Sequence, residues 1–281
     1  MPNDTSYREF TKRLKLLISK HPNLITTTLS NIFTMRLIGN KTHGDLAEIA
    51  IPEFINQYMY DFTSTHVGKG RFRAKEHEED ISVVNQITEE EMLISIKAYG
   101  VGPLQLSTDK EARMFPFLES QGEFIINDYS HIREILESPA FSEIEQMNVL
   151  PLIYDEKKSR CNILVFDSER AKQSVATISK VTGGRGRKHP IYVFQNENDE
   201  YICEVRYGGA AANALQRGLW THTRNAIPYF DSVTSGWIDY SHNLILVKLF
   251  SHALVASKRG HIEALERVKR DIEAIIQGEG L

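Results

Sequence analysis

An acidic cluster that precedes a serine and a lysine on a predicted strand is the stretch of this sequence best suited to chemistry. The cluster runs from Glu78 to Asp80, and Ser95 and Lys97 follow it. The apolar runs Ile81–Val84 and Met92–Tyr99 are separated by polar residues, which predicts two adjacent strands joined by a turn. The stretch therefore predicts a hairpin with polar groups at one end.

Strand alternation predicts which of these side chains share a face. Successive side chains of a strand point to opposite faces, so Ile94 and Ile96 would enter a core while Ser95 and Lys97 face away from it. Lys97 would then lie at the same sheet edge as Asp80. A carboxylate beside a lysine at a sheet edge predicts a site for a metal ion and a water molecule.

Phosphodiester hydrolysis is the reaction that such a site would serve. Mg²⁺ takes oxygen ligands, commonly one or two carboxylates with substrate phosphate and water. Asp80 would bind the ion and the main-chain carbonyl of Ile96 would add a ligand, while the metal stabilises phosphoryl charge and helps to generate hydroxide. Lys97 would orient or deprotonate the attacking water, or neutralise the transition state. No activated serine or cysteine is required.

The region from Glu48 to about Glu111 resembles the PD-(D/E)xK nucleases, and among them the type II restriction endonucleases. It shares an acid on an upstream helix, an acid at the end of one strand and a lysine on the next. The match carries over directly at Asp80 and Lys97. The resemblance implies an α/β fold, a restriction-endonuclease-like mixed sheet flanked by helices, with extra helical N-terminal and α+β C-terminal elements.

Two positions depart from the family pattern. The residue before the aspartate is Glu79 instead of proline, and Ser95 stands where the family usually has an aspartate or glutamate of the catalytic set. The missing carboxylate would come from Glu48 on the upstream helix, for which Glu53 competes, or from Glu111 on a helix after the lysine. Glu48 is preferred because it follows the start of its helix closely, as in family members.

Two basic clusters and two later segments are the predicted contacts to DNA. Alternation on a strand would place the cations of the first cluster on one face, suited to a phosphate backbone. The glycines of the second cluster allow close approach, and its arginines can bind phosphate or guanine. The predicted DNA-contacting residues are Lys69, Arg71, Arg73, Lys75, Gln105, Arg185, Arg187, Lys188, Arg217 and Arg224. A solvated edge strand and an ordinary charged surface are the alternative interpretations.

The remaining pattern predicts a single large domain over residues 1–281. A helical part would cover residues 1–40, the catalytic core about 41–182, and DNA-contact and dimer elements about 183–281. Helical periodicity predicts helices over Tyr7–Lys20 and Tyr129–Leu136. A helix is also predicted from Asp167 to about Val181, and a further one over Gly208–Thr223.

Composition is ordinary for a soluble globular protein. The 281 residues are 41% hydrophobic and 25% charged, with a net charge of −4, which argues against nonspecific coating of nucleic acid. The two cysteines, Cys161 and Cys203, are expected to be reduced core residues. The absence of an eighteen-residue apolar run and of a signal-peptide pattern predicts a cytoplasmic enzyme with no membrane partner.

The resemblance implies a Mg²⁺-dependent enzyme that cuts double-stranded DNA at a short specific sequence. A homodimer would follow from cutting both strands of a twofold-symmetric site, and a cognate DNA methyltransferase would protect host DNA. Two alternatives stay open. One is a repair or junction nuclease that recognises DNA structure, and the other is a noncatalytic DNA-binding module on a nuclease fold, which Ser95 makes worth considering.

Overall fold

A computed structural model gives the fold of the chain. It describes residues 6–23, 30, 43–67, 80–100, 102–144, 147–182, 189–207, 217–240, 270–271 and 273–274. Residues 24–29 and 31–42, which include the end of the predicted helical part, and residues 241–269 lie outside the described residues. Within the described ranges no helix is long and apolar enough to cross a bilayer.

Five α-helices have both ends within the described residues. Helix α1 buries Tyr7, Phe10, Leu14 and Ile18, the spacing of one helical face, so the sequence prediction of this helix is confirmed. Helix α2 runs through Pro52. The bounds are α1 Ser6–Lys20, α2 His43–Tyr58, α3 Met114–Ser120, α4 Tyr129–Glu137 and α5 Ser168–Ser174, with short 3₁₀ turns at Pro139–Ile144, Glu156–Lys158 and Ile227–Tyr229.

The first sheet is mixed and has seven strands. Its order is β1-β2-β3-β6-β7-β12, and β13 also pairs with β7. Strands β3 and β6 are parallel, whereas the other pairs are antiparallel. The bounds are β1 Phe62–His66, β2 Ile81–Asn85, β3 Glu91–Tyr99, β6 Val149–Asp155, β7 Arg160–Phe166, β12 Phe230–Ser232 and β13 Ile238–Asp239.

The second sheet is antiparallel throughout and has six strands. Its order is β4-β11-β10-β9-β8-β5. The bounds are β4 Pro103–Ser107, β5 Ile125–Ile126, β8 Thr177–Val181, β9 Ile191–Gln195, β10 Tyr201–Arg206 and β11 Gly218–His222. The predicted α/β class is therefore confirmed at the level of a mixed and an antiparallel sheet flanked by helices.

Two hydrophobic cores accompany the two sheets. Helices α1 and α2 pack with β1, β2, β3, β6 and β7 in the first core, and α3, α4 and α5 pack with the second sheet. The chain passes from β3 to β4, in the second sheet, and returns to the first at β6. Cys161 and Cys203 are buried and unpaired, one in each core, which confirms the prediction of reduced core cysteines.

Two predicted helices are wrong in part. Helix α5 begins after the Asp167 cap as predicted but ends at Ser174, and Thr177–Val181 is a strand paired with β9. The β-branched residues of this segment favour a strand once a partner is available. Gly218–His222, predicted to be helical, is β11 and pairs with β4 and β10. Strand pairing with distant segments overrides the weak local preference.

Candidate active site

The hairpin of β2 and β3 holds Asp80 against the strand that carries Ser95 and Lys97. Asp80 directly precedes β2, and its main-chain N–H donates to the carbonyl of Ile94 at 3.1 Å. Its carboxylate Oδ2 accepts the N–H of Ile96 at 2.6 Å and the hydroxyl of Ser95 at 3.3 Å. The carboxylate is therefore fixed at the point where β3 carries the predicted catalytic residues.

Strand β3 alternates as its sequence predicts. Ile94 and Ile96 are buried in the first core, whereas Ser95 and Lys97 are half-buried and line a cleft on the opposite side. Since Ser95 and Lys97 are two residues apart on one strand, they share a face, and the Ser95 hydroxyl links this face to Asp80. The structure thus brings Asp80, Ser95 and Lys97 to one side of the hairpin.

The Asp80 carboxylate retains one oxygen for a cation. Oδ2 accepts both hydrogen bonds, and among the described residues Oδ1 has no hydrogen-bonding partner. No three histidine, cysteine or acidic side chains of the described chain converge into a metal-binding group. Mg²⁺ commonly takes one or two carboxylates and completes its shell with water and substrate phosphate, so Asp80 suits such an ion. The N–H of Ile96 contacts Asp80, and the role of the Ile96 carbonyl as a metal ligand stays a prediction.

Glu48 lies near the end of the first sheet at which Asp80 is found. It is half-buried on α2, and its Oε2 is 3.5 Å from Nε2 of His66. His66 ends β1 and pairs in register with Ile81, the neighbour of Asp80. Glu48 thus contacts the end of β1, the strand that pairs with β2 next to Asp80.

Glu111 is not placed as predicted. The prediction put it on a helix after Lys97, from which it would reach back to the metal. The structure places Glu111 in an exposed turn before α3, where it forms an ion pair with Arg113. Because Glu111 lies in a turn, its predicted position on a helix is wrong. Its exposed carboxylate is paired locally with Arg113.

Two of the predicted DNA-contacting residues serve the protein's own main chain. Gln105 is 4% exposed, and its amide donates to the carbonyl of Arg217 at 2.8 Å. The guanidinium of Arg217 donates to the carbonyls of Thr108 at 3.1 Å and Lys110 at 2.7 Å. These donors are engaged within the protein, although Gln105 also lines the cleft described below, and the DNA-contacting roles of Gln105 and Arg217 stay predictions.

The other predicted contacts to DNA divide into two groups. Arg224 is exposed in the turn that follows β11, and its role stays a prediction. Seven cations lie outside the described residues, namely Lys69, Arg71, Arg73, Lys75, Arg185, Arg187 and Lys188.

The cleft beside Ser95 and Lys97 was not predicted. It has a volume of about 340 Å³ and lies where β3 of the first sheet meets β4 and the following turn of the second. Its charged and polar walls include Lys110 and Glu143, and Glu143 accepts a hydrogen bond from Ser107. No local motif marks Lys110 or Glu143, because they reach the cleft only through the packing of two sheets.

A buried aspartate supports the turn at this cleft. Asp109 is 1% exposed, and its carboxylate accepts the N–H groups of Arg113 at 2.8 Å and Met114 at 2.9 Å. Burial raises the pKa of Asp109, the two N–H groups lower it, and the nearby charge of Glu143 raises it further. Asp109 therefore accepts the N–H groups at the start of α3 although burial and the charge of Glu143 disfavour its ionised form.

Replacing Asp109 by alanine is expected to lower the free energy of unfolding by about 2 kcal/mol, because two N–H groups lose their acceptor. The raised pKa of Asp109 means that the folded state holds its proton more tightly than the unfolded state. Wild-type stability should therefore fall as the pH rises through that pKa, and the variant should lack this slope. Urea unfolding at several pH values measures both effects.

Asp128 provides the matched control for this substitution. It caps α4 through one hydrogen bond, from the N–H of His131 at 2.8 Å, and is exposed. Asp128→Ala should cost about 1 kcal/mol or less. An equal loss in both variants would contradict the special role of the buried cap.

No protein-family model, curated protein or solved structure matches the chain.

Proposed function

We propose that the protein is a Mg²⁺-dependent type II restriction endonuclease with a restriction-endonuclease-like fold. The observation that carries the proposal is the contact of the Asp80 carboxylate with Ser95 and with the N–H of Ile96, on the strand that also presents Lys97 to a cleft. A mixed sheet flanked by helices is compatible with this family. The substrate would be double-stranded DNA with a short specific sequence.

Each residue has a separate role in the proposed reaction. Asp80 would bind Mg²⁺, which stabilises the charge on the scissile phosphate and lowers the pKa of a bound water. Lys97 would orient or deprotonate the attacking water, or neutralise the transition state. Ser95 would hold the Asp80 carboxylate in place through its hydroxyl contact. Glu48 is the preferred candidate for the second carboxylate, because its ion-pair partner His66 ends the strand next to β2.

Cleavage of phage DNA in the presence of Mg²⁺ tests the proposal. Discrete bands are expected, since a sequence-specific enzyme cuts at a fixed set of sites. Cutting confined to branched or damaged substrates would favour a repair or junction nuclease. Binding without any cutting would favour a noncatalytic DNA-binding module.

The assembly proposed with this activity is a homodimer with a cognate DNA methyltransferase in the same system. Two copies related by a twofold axis would place one active site on each strand of a palindromic sequence. Light scattering of the protein with a duplex that carries the site would give the mass of the complex. A single copy on the duplex would contradict the dimer.

Replacing Glu48 by glutamine should reduce the cleavage rate by about tenfold or more if this residue completes the metal shell, because an amide binds Mg²⁺ more weakly than a carboxylate. Glu111→Gln is the matched control, since Glu111 is exposed and paired with Arg113. Initial rates measured across a Mg²⁺ titration would separate a metal effect from a folding effect. Equal rates for both variants would remove Glu48 from the site.

A further inference from the structure

The cleft between the two sheets combines polar and apolar walls. Its volume of about 340 Å³ lies at the lower end of the range of about 300–1,000 Å³ for small-ligand sites. Leu93, Met147 and Val149 provide an apolar wall, and the hydroxyl and amide groups of Ser95, Ser107 and Asn148 lie in the same lining. Such a lining suits a ligand with one flat apolar part and one polar part.

The charges of the lining favour an anion. Lys97 and Lys110 carry two positive charges and Glu143 one negative charge, so the lining has a net charge of +1 although the chain as a whole carries −4. The negative charge of Glu143 is partly satisfied by the hydroxyl of Ser107. Lysine is a common partner of phosphate, and Lys97 lies on β3 of the first sheet whereas Lys110 lies in the turn after β4 of the second.

The turn that carries Lys110 is held from two sides. Arg217, just before β11, donates from Nε to the carbonyl of Thr108 and from Nη2 to that of Lys110. Asp109, between these two residues, caps α3 by accepting the N–H groups of Arg113 and Met114. The main chain at Lys110 is thus anchored at the rim of the cleft.

The carbonyl of Arg217 is itself fixed. It accepts a hydrogen bond from the buried amide of Gln105 at 2.8 Å and another from the indole N–H of Trp220 at 3.1 Å. Both donors belong to the second sheet, in β4 and β11. Arg217 therefore links the second sheet to the turn that carries Lys110.

We infer that the cleft binds one nucleotide unit of a DNA strand, with its phosphate between Lys97 and Lys110, and that Arg217 is the positioning residue for Lys110. The base or sugar would lie against the apolar wall, and the phosphate would face the two ammonium groups. The inference rests on the proposed function for its choice of DNA as the polymer. It adds a binding role for the second sheet, which the family resemblance does not assign.

Binding of deoxyadenosine 5′-monophosphate to the full chain, measured by calorimetry without Mg²⁺, tests the site. Deoxyadenosine, which lacks the phosphate, should bind at least about tenfold more weakly. Lys110→Gln should weaken binding of the monophosphate about tenfold and reduce its dependence on salt. Lys110→Arg keeps the charge and should retain most of the affinity. Lys158→Gln, at an exposed position outside the cleft, should leave the affinity unchanged.

The positioning role of Arg217 has its own test. Arg217→Gln should weaken monophosphate binding about fivefold in the wild type and have little further effect in the Lys110→Gln background, because the two residues act on one contact. Arg133→Gln is the matched control, since Arg133 also donates to two main-chain carbonyls, of Lys172 and Gln173, and does not line the cleft. Additive losses, or an equal loss in the control, would overturn the positioning role.

The outcomes separate this inference from the proposed nuclease function. Equal binding of deoxyadenosine and its monophosphate, or unchanged affinity in Lys110→Gln, would overturn the nucleotide site even if the protein cuts DNA. Phosphate-dependent binding that Lys110→Gln weakens would support the nucleotide site even if the protein cuts no DNA. The far-ultraviolet circular dichroism of each variant, compared with the wild type, verifies that the fold is intact.

Discussion

Asp80→Asn should reduce the single-turnover rate of Mg²⁺-dependent DNA cleavage by about 10³-fold or more. The asparagine oxygen can take the place of Oδ2 and accept both the N–H of Ile96 and the hydroxyl of Ser95, so the substitution removes the negative charge while preserving the contacts. The metal supplies several kcal/mol of transition-state stabilisation, and about 1.4 kcal/mol corresponds to a tenfold change in rate. Loss of the cation should therefore remove most of the catalysis.

Three measurements separate the charge of Asp80 from its structural contacts. Calorimetry with Ca²⁺ or Mg²⁺ should show weaker cation binding to Asp80→Asn. Urea unfolding should give a free energy close to that of the wild type, and binding to duplex DNA in the absence of metal should be largely retained. Asp80→Ala should cut as poorly and should also be less stable, because it leaves the buried N–H of Ile96 without its acceptor. Full activity in Asp80→Asn would refute the proposed site.

Lys97→Ala should lower the single-turnover rate by about 10³-fold. General acid–base catalysis contributes about 10²–10⁴-fold, and loss of one positioned electrostatic donor has a similar effect. Lys97 lines the cleft on the same strand face as Ser95, so its ammonium group is next to the position proposed for the phosphate. The rate should fall even at saturating DNA and Mg²⁺, because the lost interaction is made in the transition state.

Lys97→Arg distinguishes the two roles of the ammonium group. Arginine keeps the positive charge but is not deprotonated in proteins, so it can stabilise the transition state but cannot act as a base. Partial activity in Lys97→Arg with none in Lys97→Ala would indicate electrostatic stabilisation. Loss in both variants would indicate proton transfer or a strict requirement for the shape of lysine. Lys157→Ala, at an exposed position of the 3₁₀ turn after β6, is the control and should cut normally.

The position of Ser95 has a direct consequence for the proposed metal site. A hydroxyl at this position donates to the Asp80 carboxylate instead of offering a second negative charge. The cation would then depend on Asp80, water, substrate phosphate and any glutamate brought near by DNA binding. This dependence makes cation affinity in the presence of DNA a more informative measurement than cation affinity of the protein alone.

The local parts of the candidate site were predictable because they follow from short-range periodicity. Two β-branched and apolar runs separated by a polar turn specify the hairpin of β2 and β3, and a period of two places Ile94 and Ile96 opposite Ser95 and Lys97. The same holds for helix α1, whose apolar residues recur at helical spacing. Neither prediction needed knowledge of distant segments.

The second sheet was the least predictable part because its strands depend on partners far away in the chain. Gly218–His222 pairs with Pro103–Ser107 and with Tyr201–Arg206, and nothing in its own sequence specifies those partners. Gly218 illustrates this dependence on a distant partner, because a Cβ atom at this position would lie 2.1 Å from the carbonyl oxygen of Ser107 in β4. Glycine is needed at position 218 for this close approach of β11 to β4.

The amino-acid sequence by itself determined the hairpin, the alternation that brings Ser95 and Lys97 to one face, and the proximity of Asp80, since each follows from residues close together along the chain. Only the tertiary structure decided that Arg217 and Gln105 bind main-chain groups and that Lys110 and Glu143 line the cleft with Lys97. The hydrogen bond from Gln105 to Arg217 joins residues 112 positions apart. The contacts of Arg217 arise from the pairing of β4 with β11, and the cleft arises from the packing of two sheets. The period of a single strand carries no information about either.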